Sequence, residues 1–343
     1  MVIQYKCPNC GDDMTFDSHT GMLSCTSCGR QDNIQELPDD YITNRFDEEE
    51  AKQYHCENCG AIVITDADTT ATTCSFCGAG VVLGDRLTGD LAPVKVLPFK
   101  ISRDEARAAF KKWCKNGILT PKGFMTANRI KEITGLYVPF WLYDLNTQAE
   151  VQAIGVRSRE YTRGNYIYTE KKYYDVYRDM NMDYVRVPVD ASEKMHDELM
   201  DKLEPFHYQD LERFKAPYLA GYIAEKYNYD DKQLFPRVKD KIASYIDEQI
   251  RSTIRGYSYV NYKHKHIDTS QRYAAYVLLP VWMVYYDYDK HVHTFAMNGQ
   301  TGKVVGKPPI SKKKVTYWFT GIAGTAFVGI KIAALIMGGG LLW

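Results

Sequence analysis

Apolar residues recur along the chain with a helical period in two clear places. A capping box at residues 102–105 precedes apolar residues spaced 3.6 positions apart across residues 106–114, which predicts a helix. A longer helix is predicted from Pro236, with its apolar face running from residue 238 to residue 254 and Gly256 at its end. Weaker signals predict two more helices, at residues 120–135 and from a cap at residues 190–193 to a stop at Pro205.

Between these helices, apolar and polar residues alternate with the period of a β-strand. The predicted strands are residues 92–99, 136–145, 149–156, 166–180, 182–189, 257–267, 272–287 and 291–297. Many of the 27 tyrosines lie in these strands, as is typical of half-buried sheets. The pattern predicts an α+β domain with an antiparallel sheet over residues 91–310.

A weak internal repeat crosses this domain. The stretch that begins Val138-Pro-Phe-Trp141 resembles the stretch that begins Leu279-Pro-Val-Trp282, and each follows a helical segment. This likeness suggests that the domain consists of two pseudo-repeated halves. The alternative is a chance likeness between two apolar strands.

The last segment is apolar rather than amphipathic. Residues 315–343 contain one charge, Lys331, and about 20 apolar residues suffice for a helix to cross a bilayer. Aromatic residues near both ends and Lys312 to Lys314 before the segment are typical of membrane interfaces. The sequence predicts a single transmembrane helix with the bulk of the protein in the cytosol, by the positive-inside rule. The alternative is a buried or interfacial helix.

Small residues in this segment suggest a membrane partner. Gly321, Thr325 and Gly329 are four positions apart, which predicts a helix face suited to close contact with another membrane helix. A lysine inside the bilayer is costly, so Lys331 either pairs with an acidic residue of another membrane protein or reaches the outer interface.

Eight of the nine cysteines form two quartets with the same spacing. The first comprises Cys7, Cys10, Cys25 and Cys28, and the second comprises Cys56, Cys59, Cys74 and Cys77. Each CxxC pair is followed by glycine, and four thiolates make a tetrahedral site that suits Zn²⁺. The spacing predicts two tandem zinc ribbons with one zinc ion each. Redox-active dithiols, disulfides and an iron–sulfur cluster are the alternatives.

Charge is distributed unevenly in a chain that is neutral overall. Residues 1–90 carry five basic and sixteen acidic residues, a net charge of −11, and the remaining residues carry +11. Each zinc ion bound by four thiolates leaves a further −2. A module of this sign is repelled by a phosphate backbone, which argues against nucleic-acid binding by the ribbons.

Together these patterns predict a multidomain chain. Its predicted parts are zinc ribbon 1 at residues 1–35, an acidic linker at 36–52, zinc ribbon 2 at 53–90, the α+β domain at 91–310 and the transmembrane helix at 315–343.

Catalytic motifs are less evident. The sequence contains no phosphate-binding glycine loop, GxSxG elbow, kinase signature or HExxH motif. His264 and His266 alternate on one predicted strand, and His291 and His293 alternate on another. If those strands were neighbours, the four imidazoles could bind a metal, but an exposed basic strand face is the favoured interpretation.

Several motifs resemble those of a known bacterial family. The double cysteine quartet, Leu97-Pro-Phe-Lys100, the helix at residues 106–113 and the stretch at residues 135–144 resemble the TFIIB-type zinc ribbon-containing membrane proteins. Some members carry a replication-restart helicase label, which this chain does not support because it has no Walker A motif. The resemblance implies association with PspA-type and SPFH-type proteins in membrane stress.

The sequence therefore predicts a non-enzymatic, membrane-anchored adaptor or scaffold whose zinc ribbons dock protein partners. Other membrane proteins would contact its transmembrane helix. The alternatives are a nucleic-acid-binding zinc-ribbon protein and a metal-dependent enzyme that uses the histidine strands.

Overall fold

The protein divides into two compact units, each built from several stretches of chain. In a computed structural model, the described residues are 2–3, 5–38, 53–55, 62–64, 69–73, 80–83, 92–115, 119–121, 133–288, 291–306 and 308–336. The first unit comprises Met1–Pro98, Tyr137–Asp201 and His207–Leu279, and the second comprises Phe99–Leu136, Lys202–Phe206 and Pro280–Trp343.

The structure is rich in strands. They are β1 (Val2–Ile3), β2 (Met14–Asp17), β3 (Met22–Cys25), β4 (Gln31–Asp32), β5 (Gln53–His55), β6 (Ile62–Ile64), β7 (Thr69–Thr73), β8 (Gly80–Leu83), β9 (Lys95–Val96), β10 (Thr134–Arg163), β11 (Tyr166–Asp190), β12 (Glu212–Arg213), β13 (Ile223–Glu225), β14 (Tyr259–Tyr288), β15 (His291–Asn298) and β16 (Val304–Gly306). The α-helices are α1 (Arg103–Lys115), α2 (Asp197–Leu203), α3 (Asp231–Thr253) and α4 (Lys312–Ile336).

The first unit is organised around a largely antiparallel sheet in the order β1-β8-β7-β13-β10-β14, with β11 also paired to β10. Strands β2, β3 and β4 form a separate three-stranded sheet, and β5 and β6 form a two-stranded sheet within the described residues. In the second unit, the end of β14 pairs with β15, and β15 pairs with β16. This sheet-rich α+β architecture agrees with the class predicted from sequence.

Helix α3 supplies the main core of the first unit. Its buried residues, spaced at three to four positions, are Leu234, Val238, Ile242, Ile246 and Ile250. They pack on inward-facing residues of β10 and β11, among them Val151, Ala153 and Val176. Burying each aliphatic side chain contributes about 1.5–3 kcal/mol, so this helix face makes a large favourable contribution to the folding of the unit.

The two resembling stretches make the same hydrogen bonds in their own units. In the first unit, the Trp141 indole donates to the carbonyl oxygen of Tyr229, which precedes the Asp230 cap of α3. In the second, the Trp282 indole donates to the carbonyl oxygen of Ile101, which precedes the Ser102 cap of α1. Both distances are 3.0 Å.

Backbone hydrogen bonds in the two units correspond as well. The carbonyl of Ala191 accepts from the amides of residues 228 and 229, and the carbonyl of Gly299 accepts from those of residues 100 and 101. In each unit, the resembling stretch therefore belongs to a β-hairpin on which a capped helix packs. Helix α1 precedes β10 in the chain but packs on Phe295 of β15, and α3 precedes β14 but packs on β10 and β11. Each hairpin is thus covered by a helix that does not directly precede it in the chain.

Several element boundaries differ from the sequence prediction. The four strands predicted between residues 136 and 189 are two long strands, β10 and β11, with a register irregularity between Tyr143 and Leu145. The two strands predicted at 257–287 are one strand, β14. The ladder of backbone hydrogen bonds continues through polar stretches where the apolar alternation stops. The strand predicted at 92–99 is reduced to Lys95–Val96.

The predicted helices also shift. Helix α3 begins at Asp231, where Asp230 and Gln233 form a capping box, and Pro236 lies inside it. Residues 190–193 do not cap a helix, because β11 runs to Asp190, and α2 begins only at Asp197. Of the helix predicted at 120–135, residues 122–132 lie outside the described residues, and β10 already begins at Thr134. Helix α1 is confirmed, with Glu105 bonded to the amide and hydroxyl of Ser102.

Asp190 carries a buried charge where β11 ends. Its side chain is fully buried and accepts a 2.7 Å hydrogen bond from Arg237 of α3. Burial raises the pKa of Asp190 to about 6, because desolvation of the carboxylate outweighs the attraction of Arg237 and because Asp197 and Asp201 lie nearby. Burial alone would lower the pKa of Arg237, but its hydrogen bond to Asp190 and the nearby carboxylates outweigh burial and raise that pKa, so the pair remains attractive.

We expect the stability of the first unit to fall as pH rises from about 4 to about 6. The folded-state pKa of Asp190 lies above its usual value of 3.8, so in this range the folded state binds more protons than the unfolded state. The contribution is fully present below about pH 4, and its complete loss costs on the order of 3 kcal/mol. Urea unfolding at pH 4.5 and pH 6.5 measures it, and Asp190→Asn should flatten the difference. An equal difference in both proteins would contradict this assignment.

Candidate metal centre

Two hairpin loops bring the first four cysteines together. Residues 7–12 form the loop closed by the bridge between Lys6 and Asp13, and residues 25–30 form the loop closed by Ser24 and Gln31. Both loops have the sequence CxxCGx and the same length. In each, the first cysteine amide donates across the loop, to the carbonyl of Asp12 or Arg30, and its carbonyl accepts from the glycine amide.

The glycine in each loop has a specific backbone role. Gly11 and Gly29 have φ of +76° and +75°, a left-handed conformation that costs little only for glycine. This conformation turns the chain directly after the second cysteine. The repeated glycine in the sequence pattern is therefore explained by the geometry of the loop.

The four sulfur atoms form one compact cluster. All lie within 4.8 Å of one another, with Sγ–Sγ distances of 3.4 Å for Cys7 and Cys28 and 3.5 Å for Cys10 and Cys25. A tetrahedron with Zn–S bonds of about 2.3 Å has edges of about 3.8 Å, so the cluster needs little adjustment to hold Zn²⁺. Cys7 and Cys25 are buried and Cys10 and Cys28 are exposed, which leaves one side of the centre open to solvent.

The thiols strongly influence one another. Burial disfavours the Cys7 thiolate, but hydrogen bonds from the amides of Asn9 and Cys10 and from the Cys28 thiol outweigh burial and lower its pKa to about 7. At Cys10, a hydrogen bond from the amide of Asp12 favours the thiolate. The hydrogen bond shared with Cys25, burial and the other thiols have the opposite effect, and together they raise the pKa of Cys10 to about 12. The loop at residues 7–12 thus stabilises one negative charge, on Cys7. All four thiolates could form together only with a bound dication such as Zn²⁺.

Polar side chains around the loops support this arrangement. Asp12 accepts a hydrogen bond from Ser27 of the opposite loop, and Lys6 pairs with Asp13 at 2.7 Å. Arg30 binds both Asp32 and Asn9, which joins the second loop to the first. The sequence analysis does not identify these residues. The feature that could have indicated them is their position next to the two CxxCG sequences.

This module is attached to the sheet of the first unit. The amide of Phe16 donates to the carbonyl of Ala220, and the Phe16 ring lies 5.4 Å from that of Tyr218 and 6.2 Å from that of Tyr222. At the other end of the module, Lys215 donates to the carbonyls of Gln35 and Leu37. The first quartet is therefore held against the sheet rather than on a free tether.

The other predicted site residues are placed as follows. Cys56, Cys59, Cys74 and Cys77 lie outside the described residues. His293 pairs with Tyr286 and His291 with Tyr288, about 20 positions along β14 from His266. The two histidine pairs therefore do not lie on adjoining parts of neighbouring strands, which removes the basis for the four-histidine hypothesis.

The membrane-helix residues lie on α4. A side chain added at Gly321 or Gly329 would meet no atom within 4 Å, and the Thr325 hydroxyl donates to the carbonyl of Gly321. The Lys331 ammonium lies 5.6 Å from the ring centre of Phe327, one turn earlier on the same helix.

Comparison with known proteins agrees with this metal centre. Residues 5–38 match the family model described as TFIIB zinc-binding, which includes all four clustered cysteines. The chain is similar to the protein named Uncharacterized protein YdjG of Bacillus subtilis (strain 168), with 64% identity over 340 residues, which cover 99% of this chain and 100% of that protein. No solved structure matches the chain. The N-terminal module is a zinc ribbon, and its cysteine cluster supports zinc as the metal.

Proposed function

The chain belongs to the same family as YdjG of Bacillus subtilis, and we propose that it is a membrane-anchored zinc-ribbon adaptor that docks protein partners at the cytosolic face of a membrane. The observation that carries this proposal is the exposure of helix α4. Within the described residues, one helix segment, Lys312–Ala333, is long and apolar enough to cross a bilayer, and none of it is buried.

Large apolar side chains are exposed on every side of α4. Tyr317, Trp318 and Phe319 are consecutive, so they point in directions about 100° apart, and their exposed fractions are 78%, 52% and 73%. Further exposed residues along the helix are Ile322, Phe327, Val328, Ile330 and Ile332. A helix that is apolar all round is stable in hydrocarbon and poorly stable in water, which favours a membrane span.

The basic residues at the start of α4 favour one orientation. Lys312, Lys313 and Lys314 form its first turn, and Lys314 also donates to the carbonyl of Thr120 in the same unit. By the positive-inside rule, this end lies on the cytosolic side together with the rest of the chain. The stripe of Gly321, Thr325 and Gly329 would contact another membrane helix, and Lys331 would either pair with it or reach the outer interface.

A second zinc ion, held by Cys56, Cys59, Cys74 and Cys77, is part of the proposal. The strand pairs that flank this quartet support it, because His55 pairs with Ile62 and Thr73 pairs with Gly80. Each pair encloses six residues with the sequence CxxCGx, the same loop length and sequence pattern as in the first quartet.

The docking role is supported by charge. Residues 1–90 carry a net charge of −11, which disfavours DNA and RNA and favours basic surfaces of proteins. Partners of the PspA or SPFH type, in a response to membrane stress, are what the resemblance to zinc-ribbon membrane proteins suggests. No described group of side chains leads us to propose catalysis.

We expect the full-length protein to remain in the membrane pellet after carbonate extraction. Changing Ile322 and Val328 to Lys places two charges in the span, each of which costs about 3 kcal/mol on insertion scales. That variant should move largely to the soluble fraction, whereas Ile322→Leu with Val328→Leu should stay in the pellet. Extraction of the unmodified protein by carbonate would contradict the anchor.

The same membranes test the docking role. After crosslinking and purification, partner proteins should be recovered with the unmodified chain and lost with Cys10→Ser, while the variant itself stays in the membrane. Undiminished recovery would show that the ribbon is not the docking surface. A salt-resistant shift of DNA by the full-length protein would instead favour the nucleic-acid alternative.

A further inference from the structure

The hairpin of β10 and β11 extends well beyond the helix that covers it. The corresponding hairpin of the second unit turns after Tyr288, eight positions from Pro280, whereas β10 continues to Arg163, 24 positions from Pro139. The core contacts of α3 on β10 end at Ala153, and every residue from 157 to 175 is exposed. We call residues 157–172 the distal hairpin. Its length is unexplained by the packing of the unit.

One face of the distal hairpin carries its net charge. Directly paired residues share a face, and the pairs on the face that continues from α3 are Arg157 with Lys172, Arg159 with Glu170, Tyr161 with Tyr168 and Arg163 with Tyr166. This set has four basic residues and one acidic residue. The opposite face has Ser158 with Lys171, Glu160 with Thr169 and Thr162 with Ile167, which sum to zero charge.

Tyrosine side chains lie between the basic groups on the charged face. The rings of Tyr161 and Tyr168 are stacked at 5.5 Å, and Tyr166 is 71% exposed. At its base, the Arg157 guanidinium lies over the rings of Tyr174 and Tyr257. Tyrosine and arginine are among the residues enriched in protein interfaces and at the few positions that dominate the binding energy. The face therefore suits an acidic polypeptide with apolar side chains.

We propose that this face binds the acidic segment at residues 39–52 of a second copy of the chain. That segment has six acidic and two basic residues, with Tyr41, Ile42 and Phe46 between them. Its net charge of −4 complements the +3 of the face. The whole chain is neutral with −11 in residues 1–90 and +11 in the rest, so each copy offers both partners of the contact.

Reach favours a second copy over the same copy. The segment starts after Pro38, beside the zinc ribbon, whose Phe16 ring lies against Tyr222, and Tyr222 lies against Tyr137 of β10. From Tyr137 to Arg159 the strand rises about 70 Å at about 3.3 Å per residue. Fourteen residues span at most about 50 Å when fully extended. The contact thus joins copies head to tail, a heterologous arrangement that forms rings or open chains.

The test uses the full-length protein in detergent micelles or nanodiscs. Arg159→Glu with Arg163→Glu should weaken self-association at least tenfold, because it reverses two charges on the binding face. Lys171→Glu lies on the opposite face of the same hairpin, and it should change self-association less than twofold. Restored association between the Arg159→Glu, Arg163→Glu variant and a Glu48→Lys, Glu49→Lys variant would support the pairing directly.

Carbodiimide crosslinking of mixed ¹⁴N and ¹⁵N copies identifies the contact. Links between Lys172 and acidic residues 47–50 should join light to heavy chains. Links within one chain only, or self-association unchanged in the double Arg variant, would overturn the proposal. The proposal would also be overturned if the Arg159→Glu, Arg163→Glu variant lost binding to phosphatidylserine vesicles but kept its self-association, because the face would then bind lipid. The hairpin does not depend on α4 or on the second zinc, so failure here leaves the carbonate test of the anchor unaffected.

Discussion

Replacing Cys10 by Ser is expected to remove the zinc ion of the first quartet and to unfold the zinc ribbon at residues 5–38. Cys10 is exposed, so the change deletes a ligand without leaving a cavity in the core. A structural zinc site contributes about 10–16 kcal/mol to the folding of a small zinc module, more than three thiolates and the few buried residues of the ribbon can replace.

Metal analysis of the purified full-length protein measures the loss. The unmodified chain should carry two zinc ions, and Cys10→Ser and Cys56→Ser should each carry one. Cys114→Ser is the matched control, because Cys114 belongs to neither quartet, and it should retain two. One zinc in the unmodified chain would contradict the second site alone, whereas two zinc ions in Cys10→Ser would contradict the first.

Limited proteolysis should report the consequence for the fold. Unfolding of the ribbon withdraws Phe16 from Tyr218 and Tyr222 and frees Lys215 from the carbonyls of Gln35 and Leu37. We therefore expect cleavage in Cys10→Ser within residues 5–38, and faster cleavage near residue 215 as well. Protection at both places would show that the ribbon folds without its metal.

The metal centre could be predicted from sequence because its chemistry is local. Two residues between cysteines and a glycine after each pair determine a six-residue loop, and the loop directs both sulfurs to one side. That two such loops face each other follows from the short strands β2 and β3 that connect them. The attachment of Phe16 to Tyr218 could not be predicted, since those residues are about 200 positions apart and neither carries a motif.

The length of the strands, and the hairpin on which each helix packs, could not be predicted from sequence for a different reason. Alternation of apolar residues reports burial, and the distal part of β10 is exposed on both faces although its hydrogen bonds to β11 continue to Arg163. The pattern therefore ends where burial ends and not where the strand ends. Likewise, the amphipathic face of α3 predicts that it packs on a sheet, but not that it packs on the hairpin that precedes it.

Replacing Ile246 by Ala in α3 is expected to lower the free energy of unfolding of the first unit by about 3–4 kcal/mol. The side chain is 3% exposed and belongs to the core cluster formed with β10 and β11, so its removal deletes three carbon atoms and leaves a cavity. Its neighbour Tyr245 is 59% exposed on the same helix, and Tyr245→Ala should change stability by less than about 0.5 kcal/mol.

Urea unfolding of the two variants in the same detergent measures the difference, and hydrogen exchange locates it. Amides of α3 should lose protection in Ile246→Ala, because the helix is held mainly by this apolar face. Amides of α1 should keep theirs, because α1 packs on Phe295 of its own unit through Phe110 and Trp113. Equal losses for Ile246→Ala and Tyr245→Ala would show that the helix is held by something other than its buried face. Loss of protection in both helices would show instead that the two units unfold as one.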